Sequence, residues 1–271
     1  MPLEPKYLRL RFNLEGISAP AMKAMQLASD TVMAALPALD AFDVTGEPQI
    51  EGTGIQLRFR QAGMSDDDWR EQCKSFVVRK AFQELAKGLK ESLDEAYSLI
   101  HMTRLDWGNI DTAGIMAKRE ELGRKANRAN VPTILDWVNG ELGAPLSHTA
   151  MVLNVQKVRS CLEHRDGLVG AVDVNNAADD ALELSVPTMK IIAIGKDTGA
   201  EVEVVPGMQL EEASRVAPKF VDEHLSFPRG ARIQIDAERF NHIALSNWVF
   251  GSDLAKRVEA LLRNEGKVDF S

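Results

Sequence analysis

Two cysteines, Cys73 and Cys161, in 271 residues are too few for a disulfide framework, and they form no Cys-x-x-Cys pair of the kind used for zinc or redox chemistry. The chain contains no Gly-x-x-x-x-Gly-Lys phosphate loop, no dinucleotide fingerprint after a strand and no His-Glu-x-x-His. Phosphate-loop, Rossmann and zinc-hydrolase chemistry are therefore not expected. The Gly52-Thr53-Gly54 run precedes a strand pattern and opens no helix, so it reads as a turn. No stretch of 18 or more apolar residues predicts a spanning helix, and none of the partners expected is a membrane. The opening MPLEPKYLRL lacks the unbroken apolar core of a signal peptide, which makes the cytoplasm the expected location. Internal repeats, low-complexity tracts and a Pro- or Gly-rich linker between autonomous domains are also missing.

What is present is the composition of a folded protein: 45% apolar and 27% charged residues. The net charge of −8 excludes a protein that coats nucleic acid through bulk positive charge, because such binding depends on neutralising phosphates. The acidity is local. Residues 173–223 hold 11 acidic against 4 basic side chains and account for −7 of the −8. Between Lys157 and Arg165 three cations face one glutamate.

Leu8, Leu10, Phe12 and Leu14 alternate with polar residues, as do Ile55, Leu57 and Phe59, and each set predicts a half-buried strand. Arg9, Arg11, Arg58 and Arg60 would share one face if these strands pair, as a solvated face or a guide for RNA or an acidic partner. Between them, Ala19 to Leu39 has helical composition, with Pro20 and Pro37 expected to bound or kink it. Apolar positions from Trp69 to Ile100 recur every three or four residues, so a long amphipathic helix is expected over residues 66–102, with Ser65 and Asp68 as its capping box. Further helices are expected over 112–127, over 132–139 with Pro132 in the first turn, and over 148–163 with Ser147 as N-cap. Leu182 to Ile194 and Glu201 to Val205 predict a hairpin turned by Gly195-Lys196-Asp197-Thr198-Gly199, and Arg232 to Ile235 a third short strand. Asp236 then caps a last helix that buries Phe240, Ile243, Phe250, Leu254, Val258 and Leu261. The expected fold class is α+β and mainly helical. Residues 1–62 form a strand-helix-strand unit packed on the core, and residues 63–271 a helical core with a β insertion at about 171–235, before the last helix.

Five histidines remain as candidate chemistry: His101, His148, His164, His224 and His242. No two are three to five residues apart, so local metal-ligand spacing is absent and no metal or cofactor is expected. His101 suits the negative end of its helix dipole and His242 the first turns of the last helix. His164 stands in Lys157-Val158-Arg159-Ser160-Cys161-Leu162-Glu163-His164-Arg165-Asp166-Gly167. With Arg159 at 0° on a helical wheel, Ser160, His164 and Lys157 lie within about 160°, opposite the stripe of Met151, Val155, Val158 and Leu162.

Arg-x-x-x-x-His at the end of an amphipathic helix, followed by Arg165-Asp166-Gly167 and a β-rich segment, resembles the HEPN superfamily. The resemblance covers the helical part, about residues 69–170. It implies a helical bundle and a metal-independent endoribonuclease in which the RNA 2′-hydroxyl attacks the adjacent phosphorus, leaving a 2′,3′-cyclic phosphate. On that resemblance His164 is the general acid or base, Arg159 stabilises charge on the phosphate, and Ser160 stands where the family more often has asparagine. Lys157 and Arg165 would steer substrate phosphates. It also implies RNA as partner, a homodimer with the site at the subunit interface, a stress or phage-defence role, and an antitoxin or regulatory partner. No tyrosine follows His164 closely, unlike toxins of this family controlled by a nucleotidyltransferase antitoxin. A catalytically silent RNA- or protein-binding module and an unrelated α+β protein remain alternatives. In either, Arg159 and Glu163 form an i,i+4 ion pair, while His164 and Arg165 complement the helix dipole.

Overall fold

The computed structural model describes residues 13–42, 64–106, 109–205, 207–210 and 213–266. The second N-terminal strand, the first up to Phe12, the Gly52 turn and the four-arginine face lie outside them, while Leu14, expected in the first strand, is the helical N-cap residue of α1. Among the described residues are six helices and three strands: α1 (Glu15–Ala41), α2 (Asp66–Thr103), α3 (Thr112–Arg128), α4 (Val131–Leu142), α5 (Thr149–His164), β1 (Ala181–Gly195), β2 (Glu201–Glu203), β3 (Ser214–Pro228) and α6 (Ala237–Asn264). None of these helices is long and apolar enough to cross a membrane.

Helix α2 is the spine. Ser65 accepts a hydrogen bond from the Asp68 amide at its N-terminus, and three aspartates in its first turn suit the positive end of the dipole. Helix α1 packs on α2 and α6 through small residues. Ala21, Ala24 and Ala28 are buried, and Gly88 and Gly251 meet them from the other two helices. A β-carbon added at Gly88 would lie 2.4 Å from Ala24 Cβ and 2.8 Å from the Pro20 carbonyl oxygen. The close approach therefore depends on glycine there.

Both Pro20 and Pro37 lie inside α1, instead of bounding it. A proline ring removes one helical donor and displaces the backbone around the preceding turn. The adjacent Ala21 amide donates to Ser92 Oγ of α2, at 3.1 Å, which gives this buried serine a partner. Across the other interface, Asn247 Nδ2 of α6 donates to the Leu85 carbonyl at 2.9 Å. Phe82 of α2 meets Phe240 of α6 edge-on, with ring centroids 5.6 Å apart.

The sheet is antiparallel in the order β2-β1-β3, with β1 and β3 paired from Ala181 opposite Pro228 to Gly195 opposite Ser214. Its near end buries Leu182, Leu184 and Val186, and β1 lies against α5 and α6. Its far end projects, leaving Met189, Ile191, Val202 and Val216 exposed.

Three local expectations are corrected. Arg232 to Ile235 is not a strand, because Arg232 makes only an isolated bridge to Leu168. The long third strand is β3, whose Pro218 argues against a central strand but is tolerated on an edge, where no outer ladder needs its missing donor. Helix α5 starts one residue later than expected, with His148 rather than Ser147 at the N-cap position and no side-chain cap bond.

Candidate functional site at the end of helix 5

Helix α5 buries Met151, Val152, Val155, Val158, Cys161 and Leu162, which turns the Lys157, Arg159, Ser160 and His164 side away from the core. The helix continues through His164. The Arg165 and Gly167 amides both donate to the Cys161 carbonyl, at 3.0 and 3.1 Å, and close its end. The chain leaves helical geometry directly after His164, at Arg165 with φ −132° and ψ 16°, and turns through left-handed conformations at Asp166 with φ 52° and Gly167 with φ 75°. Gly167 is needed here, since its φ is left-handed and a β-carbon would come within 3.3 Å of Leu162.

Because α5 stays regular to its last residue, Arg159 and His164 remain about 140° apart around the axis. One copy of the helix does not converge them on a single phosphate. Arg159 Nη2 lies 2.7 Å from Glu163 Oε2, with 38% of the arginine side chain exposed and 11% of the glutamate. The i,i+4 pair expected from the sequence is present. His164 is exposed, and among the described residues neither its imidazole nor the Ser160 hydroxyl has a hydrogen-bond partner. Lys157 Nζ donates to the Val174 carbonyl at 3.3 Å.

Arg165 has a different environment from the phosphate-steering one that the family resemblance implies. Its Nε donates to Asp173 Oδ2 at 2.7 Å and its Nη2 to Asp173 Oδ1. Asp173 is buried and also accepts the Gly170 amide at 2.9 Å. Hydrogen bonding to Asp173 raises the Arg165 pKa. The Cys161 thiol beside this pair is buried, and desolvation, reinforced by Asp173, pushes its pKa up to about 11. That thiol is held in its neutral, unreactive form.

Packing of α2 against α5 brings in residues that the sequence did not flag. Gln83 Nε2 donates to Glu163 Oε1, and Lys80 Nζ donates to Gln83 Oε1 at 2.9 Å, so a polar chain runs from Lys80 through Gln83 and Glu163 to Arg159. Arg79 Nη1 lies 2.9 Å from Asp166 Oδ1. From the segment after β3, Arg232 Nη1 donates to the Asp166 carbonyl at 2.8 Å, and the Ile233 amide donates to the Gly167 carbonyl at 2.9 Å. Phe76, one turn before Arg79 and Lys80, is half exposed. Phe76, Arg79, Asp166 and Arg232 all border one cavity, which continues past Cys73 to Trp69. The i, i+3, i+4, i+7 spacing of Phe76, Arg79, Lys80 and Gln83 places them on one side of α2. That spacing was visible, but nothing in the sequence indicated that α5 lies beside it.

Of the other histidines, His101 and His242 have polar or aromatic neighbours, whereas His224 on β3 is exposed and, like His164, has no hydrogen-bond partner among the described residues. His101 stacks edge-on against Tyr97 and lies 3.3 Å from Glu141 without hydrogen-bond alignment. Burial lowers its pKa, an effect only partly opposed by Glu141. His242 Nδ1 sits 3.1 Å from Glu223 Oε2.

Against family models, curated proteins and solved structures, the chain finds no match.

Proposed function

We propose that this protein is a HEPN-type endoribonuclease that cleaves RNA without a metal, acting as a homodimer. The observation that carries the reading is His164: exposed, without a partner among the described residues, and five residues beyond Arg159 on a helix end crossed by Arg79 and Arg232. An imidazole titrates nearest working pH, so it suits the removal of the 2′-hydroxyl proton or the delivery of a proton to the leaving 5′-oxygen. In the step, a bond forms between the 2′-oxygen and phosphorus while the bond from phosphorus to the 5′-oxygen breaks. A guanidinium beside the non-bridging oxygens stabilises the charge that builds on them.

The angular separation of Arg159 and His164 makes two-fold pairing part of the proposal. Isologous contact between two α5 ends sets His164 of one copy against the Arg159 face of the other, which a single helix does not achieve. In the same reading Glu163 orients Arg159 and leaves its outward donors open, Ser160 adds a short hydroxyl donor, and Lys157 lies behind as phosphate-steering charge.

The Arg159–Glu163 pair also favours a second reading, a silent RNA-binding module in which Arg159 is structural. Incubation of single-stranded and structured RNA with the protein in excess EDTA separates the two. The ribonuclease reading expects cyclic-phosphate ends, and a loss of about 100-fold or more in cleavage rate for His164→Ala and for Arg159→Ala. RNA binding with no cleavage supports the silent module. Cleavage unchanged by both substitutions overturns the assignment of the site.

A further inference from the structure

We infer that Phe76, with Arg79 and Lys80, forms a stacking platform for an unpaired base of single-stranded RNA, which rests on the reading of the α5 end as an RNA site. Three phenylalanines stand among the exposed large apolar side chains of the described residues: Phe42, Phe76 and Phe220. Phe42 packs near Trp69, with ring centroids 6.0 Å apart, and Phe220 near Trp248, at 6.3 Å. Phe76 meets no other ring among the described residues. Two cations lie over the ring instead, with Arg79 Cζ 5.5 Å and Lys80 Nζ 5.8 Å from its centroid.

An exposed benzene ring with cations around it is unfavourable for an apolar protein partner, which would have to desolvate both charges. It suits a nucleotide, whose base offers a π-face and whose phosphate offers the opposite charge. Position strengthens the choice. Arg79 is anchored to Asp166, two residues beyond His164, and Lys80 is tied through Gln83 and Glu163 to Arg159. The platform and the proposed chemistry thus belong to one connected surface, and the two cations come with their side chains already oriented. Single strands are specified because a duplex keeps its bases stacked on each other, leaving none for Phe76.

The test uses a fluorescently labelled 2′-O-methyl oligonucleotide of about a dozen nucleotides, single-stranded or annealed to its complement. The blocked 2′-oxygen prevents attack, so anisotropy reads binding whether or not the protein cleaves. Phe76→Ala is expected to weaken single-strand binding by about 5- to 150-fold, from the usual contribution of one stacked base. Phe76→Trp should stay within about two-fold of the parent, since any large flat ring serves. The duplex should bind more weakly than the single strand and be insensitive to either variant. Equal binding by Phe76→Ala and the parent overturns the platform, as does Phe76→Trp behaving like Phe76→Ala. A parent chain that binds neither oligonucleotide overturns it too. Cleavage of unmodified RNA is scored separately. Cleavage with no Phe76 dependence leaves the ribonuclease standing without the platform, and Phe76-dependent binding with no cleavage does the reverse.

Discussion

The two halves of α2 share one helical period and do opposite work. From Ala81 to Ile100 the helix is enclosed: α1 presses on Gly88, α6 hydrogen-bonds at Leu85, and Lys125 of α3 and Trp137 of α4 meet it at Tyr97. From Asp66 to Lys80 the described residues cover only part of the circumference, and Phe76 and Lys80 are exposed on the side that meets the end of α5. A regular helix thus serves as scaffold along one stretch and as display along the next, and what differs is how many neighbours reach it.

The largest expected contrast comes from substituting once in each half. Gly88→Val forces a branched side chain into a space where even a β-carbon is too close to backbone, and should lower the unfolding free energy by about 3 kcal/mol or more in urea titration. Phe76→Ala should cost less than about 1 kcal/mol, because half of the ring is already in water. Similar losses at both positions would break the comparison.

Next in size is the turn that the open half of α2 faces. Arg165→Ala leaves the Asp173 carboxylate buried without its charged partner, and should cost about 2–3 kcal/mol. Asp173→Ala should cost less, since Arg165 is partly exposed and water can take over its donors. A double-mutant cycle measures the coupling. If Arg165→Ala weakens RNA binding without loss of stability, Arg165 contacts phosphate as the family resemblance implies, and its bond to Asp173 is incidental.

The smallest expected effect is a pH dependence in the enclosed half. Burial holds the folded-state pKa of His101 below its ordinary 6.5, so the unfolded chain takes up that proton first as pH falls. Its contribution should therefore be destabilising below about pH 6.5 and absent well above it. Denaturation at pH 7.5 and 5.5 should show a shallower acid loss for His101→Asn than for the parent chain. An unchanged slope would mean that this end of α2 is as open as the other.

Much of this was legible in the primary structure, for reasons that differ by element. Ser65 with Asp68, Pro132 in a first turn, and Asp236 mark helix starts through the chemistry of near neighbours, so chain order was enough to find them. The hairpin turn at Gly195 to Gly199 was likewise local. Strand β3 was hidden because most of its side chains are exposed and leave little burial pattern in the sequence, whereas β1, which also contains a proline at Pro187, was legible from its apolar residues. For Pro20 the sequence left bounding and kinking of α1 both open, and the structure puts it inside the helix, beside an amide that donates to Ser92, 71 residues away.

At the candidate site the division is sharper. Chain order alone determined that Lys157, Arg159, Ser160 and His164 share the side of α5 opposite its apolar stripe, because helical geometry converts spacing into angle. The i,i+4 reach of Arg159 to Glu163 followed for the same reason. Only the tertiary structure decided that Arg165 turns inward to Asp173, that Gln83 joins Lys80 to Glu163, and that Arg79 reaches Asp166. Those contacts join residues separated by as much as 87 positions, as in Arg79 and Asp166, and they exist because buried side chains must close-pack whatever their distance along the chain.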